Sequence, residues 1–115
     1  LVKEKLPELN YIGALEICGG DVEFYMELVN DFTKLPVKKE LKEYAASKNY
    51  KDYCIRVHGF RNNAYSIGAK EMGDIAAEME ELTRNEFPEE VLALQVRLFE
   101  QYDRICRIYQ EIDTR

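Results

Sequence analysis

Residues 91–112 read VLALQVRLFEQYDRICRIYQEI. Val91, Leu98, Ile105 and Ile112 step by seven, with Leu94, Tyr102 and Tyr109 between them. That spacing lines one face of an α-helix with apolar side chains and leaves the opposite face charged. A helix of this length needs partners to bury its stripe, and the sequence before it supplies them. Asn85 and Pro88 break the chain just upstream, and Ala69 to Thr83 forms another periodic segment behind Gly68. Asn49 is placed to cap a helix from Tyr50 to about Ile67. Further back, Pro36 can open a helix through Leu41, Tyr44 and Ala45. Asp21 caps a segment in which Phe24, Leu28, Val29 and Phe32 recur at three and four. Asn10 caps a brief helix through Ile12, Leu15 and Ile17, which Gly19-Gly20 ends. No segment alternates with period two. The expected fold is all-α: an antiparallel four-helix bundle with a short extra N-terminal helix, residues 1–9 forming an arm and 10–115 the domain.

Composition agrees and removes several function classes. The 115 residues carry 16 basic and 22 acidic side chains, a net charge of −6, with 46% hydrophobic residues. That is a single soluble domain able to bury a core without staples. The three cysteines, Cys18, Cys54 and Cys106, form no CxxC pair, so they read as reduced thiols in a cytoplasmic setting. One histidine cannot build a bundle metal site of the Glu-x-x-His type, which needs two, and the position three before it is Ile55. No GxSxG elbow, Gly-rich nucleotide loop or Walker sequence occurs, which argues against hydrolase and kinase chemistry. A net-acidic chain with no basic run is a poor nucleic-acid partner. The start, Leu1-Val2-Lys3-Glu4-Lys5, has no apolar targeting region, and no stretch approaches a membrane span. The chain reads as a domain cut from something larger or one whose tag was removed.

The lone histidine, His58, falls on the Tyr50–Ile67 helix. At about 100° per residue, Tyr53, Val57, Phe60, Ala64 and Ile67 share one core face, and His58 projects some 120° away from it. Ile55, Asn62 and Tyr65 lie near it, with Arg61 closer to the core edge. An exposed Ile and Tyr flanking an exposed His form a small apolar docking face. Three readings of His58 compete: an ordinary surface residue, a core histidine (which the wheel disfavours), and a nucleophile that carries phosphate. The last needs an exposed neutral imidazole and a nearby cation, and Arg61 stands one turn along.

The segment His58-Gly59-Phe60-Arg61-Asn62-Asn63-Ala64-Tyr65-Ser66-Ile67-Gly68-Ala69 resembles the signature of histidine-containing phosphotransfer (HPt) domains. The histidine, an apolar residue at +2, a cation at +3 and Ile-Gly-Ala at +9 to +11 are in register with it. The resemblance extends upstream to Leu6-Pro7-Glu8-Leu9-Asn10, Gly19-Gly20-Asp21 and Phe24 through Phe32, and downstream to Met72 and the acidic run at Glu78 to Glu81. It covers roughly residues 6 to 85. Two positions differ from the signature: Asn62 stands where Gly is usual, and Arg61 where Lys is usual. Asn62 offers amide donors to a phosphoryl group, and Arg61 a planar fork in place of a point charge.

The resemblance implies a carrier without kinase activity of its own. His58 Nε2 would take a phosphoryl group from the aspartyl phosphate of a response-regulator receiver domain and pass it to the aspartate of another. Arg61 and Asn62 would stabilise the phosphoryl group, and Ile55 and Tyr65 would dock the receiver. No cofactor is expected in this domain; Mg²⁺ comes with the receiver's carboxylates. The implied partners are receivers, including one within a hybrid sensor kinase of the same chain, met by a cytoplasmic monomer without nucleic acid or membrane contact. The alternative is a helical module that docks a receiver or kinase through the same face without transferring phosphate. The remaining charged residues read as structural. Glu78, Glu80, Glu81, Glu86, Glu89 and Glu90 form a solvated face and loop, Lys38, Lys39 and Lys42 a small solvated cluster, and Asp52 complements a helix dipole. Phe99, Tyr102 and Tyr109 form or border the terminal core stripe.

Overall fold

The computed structural model describes residues 2–113; Leu1, Thr114 and Arg115, the outermost positions of the expected arm and domain, lie outside the described residues. The described chain is all-helical. Its helices are α1 (Val2–Lys5), α2 (Tyr11–Ile17), α3 (Val22–Thr33), α4 (Val37–Ala46), α5 (Tyr50–Ser66), α6 (Lys70–Thr83) and α7 (Glu90–Asp113). The three expected caps form: Asn10 Oδ1 accepts from the Gly13 amide at 3.1 Å, Asp21 Oδ1 from Phe24 at 3.0 Å, and Asn49 Oδ1 from Asp52 at 3.3 Å. Each satisfies an amide that the first turn of a helix leaves without a partner. Pro36 sits at the N-cap of α4, one position before the helical residue it was expected to be.

Helix α5 packs most extensively on α6 and also on α4 and α3; α7 packs on α6, α3 and α1. The apolar face read for α5 is buried throughout, and so is the α7 stripe from Val91 to Ile112. Phe32, Phe60 and Tyr102 meet at the centre, Phe32 stacked on Phe60 with ring centroids 5.2 Å apart. Buried aromatics of this size stabilise by roughly 2–3 kcal/mol each relative to exposure.

Four details differ from the sequence reading. In α3 the buried positions are Tyr25, Val29 and Phe32, while Phe24 faces solvent. The cause is polar: the Tyr25 hydroxyl donates to the Ile67 carbonyl at 2.8 Å, and that bond needs the ring turned inward. In α2 the inward residue is Ala14, and Ile12 and Ile17 are exposed, because seven residues can turn only one face to the core. Residues 2–9 are more than a lead-in. Val2, Leu6 and Leu9 are core residues, and Glu8 pairs with Arg104 of α7 at 2.8 Å. The Lys38–Lys42 cluster also has partners: Lys38 pairs with Asp103 at 2.8 Å, and Lys38 and Lys42 both lie over the Phe99 ring.

At the turn between α5 and α6 two backbone segments approach closely. Gly68 adopts φ +87°, and a Cβ there would fall 2.7 Å from the Asn10 carbonyl oxygen and 2.8 Å from its nitrogen. Only glycine admits both the left-handed backbone and so close a neighbour. The contact is a bond: the Asn10 amide donates to the Gly68 carbonyl at 2.9 Å. The α2 N-terminus is thereby strapped across the end of the α5–α6 pair.

Candidate functional site

His58 emerges from the middle of α5 with 49% of its side chain exposed, on the side of the helix that the wheel assigns to solvent. Its imidazole is nevertheless held. Nδ1 lies 2.7 Å from Oε2 of Glu80, which α6 brings across from the facing turn. A carboxylate accepts where it is ionised, so in that pairing Nδ1 is the donor and Nε2 is the ring nitrogen that Glu80 leaves free.

Glu80 was expected in a solvated acidic face, and the structure corrects that: its side chain is only 10% exposed. Met72, Ala76 and Glu80 follow one another at four-residue steps, so Glu80 continues the buried stripe of α6. Its backbone is equally enclosed, with the Glu80 carbonyl accepting from Thr83 Oγ1 and meeting the Cys54 thiol at 3.6 Å. Glu78 and Glu81 remain exposed, as read. A buried carboxylate is costly unless paired. Three groups answer it: His58, Arg61 with Nη1 2.9 Å from Oε1, and Arg84 with Nη2 3.8 Å from Oε2. The Arg61 contact is an ion pair whose angles fall short of a hydrogen bond, since Oε1 has no hydrogen-bond partner.

Arg61 therefore lies on the Nδ1 side of the ring, with Nη2 3.2 Å from Nδ1. With Nδ1 protonated that approach brings two donors together, and the guanidinium's attractive partner is the carboxylate. Asn62 is exposed one turn beyond His58, and its carbonyl accepts from Ser66 Oγ at 2.8 Å. The two flanking apolar residues differ. Ile55 is 59% exposed and lines an open groove of about 360 Å³ together with Tyr50, Lys51, Cys54, Thr83 and Arg84. Tyr65 bends onto α6, where its ring occupies the space a side chain at position 73 would need, and its hydroxyl donates to Asp74 at 2.7 Å. That bond raises the Tyr65 phenol above its ordinary range, and Lys70 followed by Tyr65 holds the Asp74 carboxyl below its own.

The structure thus brings together His58, Arg61, Glu80 and Arg84, with Ile55 on the adjoining groove and Tyr65 tied down farther along the helix. Glu80 and Arg84 are the members that sequence reasoning missed. The signal for both was the four-residue step continuing Met72 and Ala76 through Glu80 to Arg84. Among the described residues no group of three or more His, Cys, Asp or Glu side chains is placed to hold a metal ion, and no helix is long and apolar enough to cross a membrane. No protein-family model, curated protein or solved structure matches the chain.

Proposed function

We propose that this protein is a phosphohistidine carrier of the HPt type. One observation carries the reading: an exposed imidazole whose Nδ1 is fixed by a buried carboxylate at 2.7 Å, so that Nε2 is presented as the nucleophile. The packing of α5 on α4 and α6, and of α7 on α6 and α3, supports an antiparallel bundle of four principal helices as the platform. The resemblance around His58 supplies the donor class, a receiver-domain aspartyl phosphate.

In the proposed step the Nε2 lone pair of His58 forms the N–P bond. The bond from phosphorus to the aspartyl oxygen breaks, its electron pair staying on the departing carboxylate. The Nδ1 proton remains against Glu80, which offsets the positive charge that the ring gains. Transfer onward to a second receiver is the reverse displacement. Mg²⁺ belongs to the receiver, where it neutralises the moving oxygens. The setting proposed is a cytoplasmic monomer that meets receivers, including one in a hybrid sensor kinase of the same chain. Ile55 and the groove beside it supply apolar contact, and Asn62 meets the phosphoryl group from one turn away.

The test is direct. Incubated with phosphoramidate or with a receiver charged by acetyl phosphate, the protein should take up an acid-labile, base-stable label. His58→Gln should lower that label by about 100-fold or more. Label persisting in His58→Gln would overturn the assignment, and receiver binding without label would point to the docking module instead.

A further inference from the structure

The two arginines beside Glu80 are held in different ways, and the difference assigns them different work. Arg61 is 27% exposed and stands 2.9 Å from Oε1 of the buried carboxylate. Arg84 is 57% exposed, with its nearest carboxylate oxygens at 3.8 Å on Glu80 and 3.7 Å on Glu81, both beyond hydrogen-bond distance. A phosphoryl group on Nε2 would bring about two negative charges beside a site that already contains Glu80. Arg61 could turn to it only by leaving a buried carboxylate short of its cation, which is among the more expensive changes a fold can suffer. Arg84 gives up two loose, solvent-screened contacts of little worth, and gains charge-assisted bonds to phosphoryl oxygens. It also stands near the ring, 3.8 Å from the Glu80 oxygen that meets Nδ1. Arg84 shares the groove wall with Cys54 and Ile55, the residues one turn before His58 on α5.

We propose that Arg84, not Arg61, is the cation that engages a phosphoryl group on His58, and that it leaves the groove wall to do so. Arg61 is then a positioning residue that keeps Glu80 neutralised and the imidazole oriented. The assignment rests on the phosphohistidine reading and deepens it. It carries a consequence for the groove: once Arg84 swings to the phosphoryl group, the wall it shares with the half-buried Cys54 opens and that thiol becomes more accessible, so the surface beside His58 differs between the charged and uncharged carrier.

The experiment uses the intact chain and phosphoramidate, whose N–P bond breaks with loss of ammonia as the His58 N–P bond forms. Labelling rate is followed for wild type, Arg84→Gln, Arg84→Lys and Arg61→Gln. In parallel, iodoacetamide alkylation of Cys54 is measured by peptide mapping, which separates it from Cys18 and Cys106 without removing them. Arg84→Gln should label about tenfold more slowly, with partial rescue by Arg84→Lys. Arg61→Gln should lower thermal stability more than Arg84→Gln does, yet slow labelling of the folded fraction less. Phosphorylation should speed Cys54 alkylation about threefold in wild type and leave it unchanged in Arg84→Gln. Wild-type labelling by Arg84→Gln, or Cys54 alkylation indifferent to phosphorylation, overturns the role given to Arg84. Failure of His58 to label in the wild type is a separate result: it removes the carrier reading, and this assignment with it.

Discussion

At the C-terminal end of α5 the backbone is tied from several directions. The Ala64 carbonyl accepts from the Ala69 amide at 2.9 Å, the Ile67 carbonyl from Tyr25 Oη at 2.8 Å, and the Gly68 carbonyl from the Asn10 amide at 2.9 Å. Around the N-terminal half of the same helix the side chains meet an open groove, and Ile55 and Arg84 both face solvent. His58 lies between the two regimes. Its helix is tied through its backbone at one end, and at the other Ile55 borders an open groove, which leaves room for a partner to approach. The proposed carrier role would use both: a fixed reactive atom and an adaptable rim.

The strongest way to break this contrast is at Gly68. Gly68→Ala places a Cβ against the Asn10 backbone and demands a left-handed φ of an L-residue. Neither obstacle is the mobile end of a side chain, so relief requires the strap itself to move. The expected loss is roughly 2–4 kcal/mol in urea unfolding. Ile55→Ala on the open half should stay within about 0.5 kcal/mol of wild type. Equal losses at the two sites would abolish the distinction between an anchored and a free half.

Much of this arrangement is legible in the sequence where its cause is local. Asn10, Asp21 and Asn49 announce their helices because a capping oxygen acts within three residues of itself. The faces of α5 and α7 follow from periodicity, and His58's exposure follows from the α5 face by subtraction. What escaped is decided across space. Glu80 carries a charge that ordinarily seeks water, and it is buried because His58 and Arg61 arrive from α5 to meet it. Phe24 and Tyr25 are equally apolar by pattern, and a carbonyl at the end of a different helix selects the tyrosine. Residues 2–9 show no strong period, and only the wall of α7 opposite makes core residues of them.

Alkali sharpens the comparison, because a buried tyrosine serves each half. Tyr25 donates to the anchored turn, and Tyr53 donates to Gln95 at 2.6 Å behind the open half. Burial pushes both phenols up, that of Tyr25 to about 12. A folded-state pKa above the unfolded value of about 10 means that these groups stabilise fully below pH 10, and that the contribution is lost as pH rises through the folded value. For Tyr25 that amounts to something on the order of 2–3 kcal/mol. Stability should therefore hold up to about pH 10 and fall between about 10 and 12, with phenolate absorbance from these tyrosines appearing together with unfolding. A single transition of all eight tyrosines near pH 10 with the fold intact would contradict the burial assigned to both halves.

The smallest expected effect tests whether the anchored end is held by its backbone or by its side chains. Tyr65→Phe removes the hydroxyl that reaches Asp74 and keeps the ring over Gly73. The bond is exposed and water replaces it readily, so the loss should stay under about 1 kcal/mol. The more telling readout is the Asp74 carboxyl, followed by NMR titration. Lys70 is the larger cause of its lowered pKa and Tyr65 the second, so the substitution should raise it toward the ordinary aspartate range without reaching it. A depressed carboxylate stabilises above its unfolded pKa and loses that contribution as pH falls through the folded value, so Tyr65→Phe should also blunt the acid-side decline. A loss as large as that of Gly68→Ala would mean that Tyr65, rather than the strap of Asn10 on Gly68, is what holds this end of α5. Tyr65 would then be a structural clamp with no freedom to dock a partner.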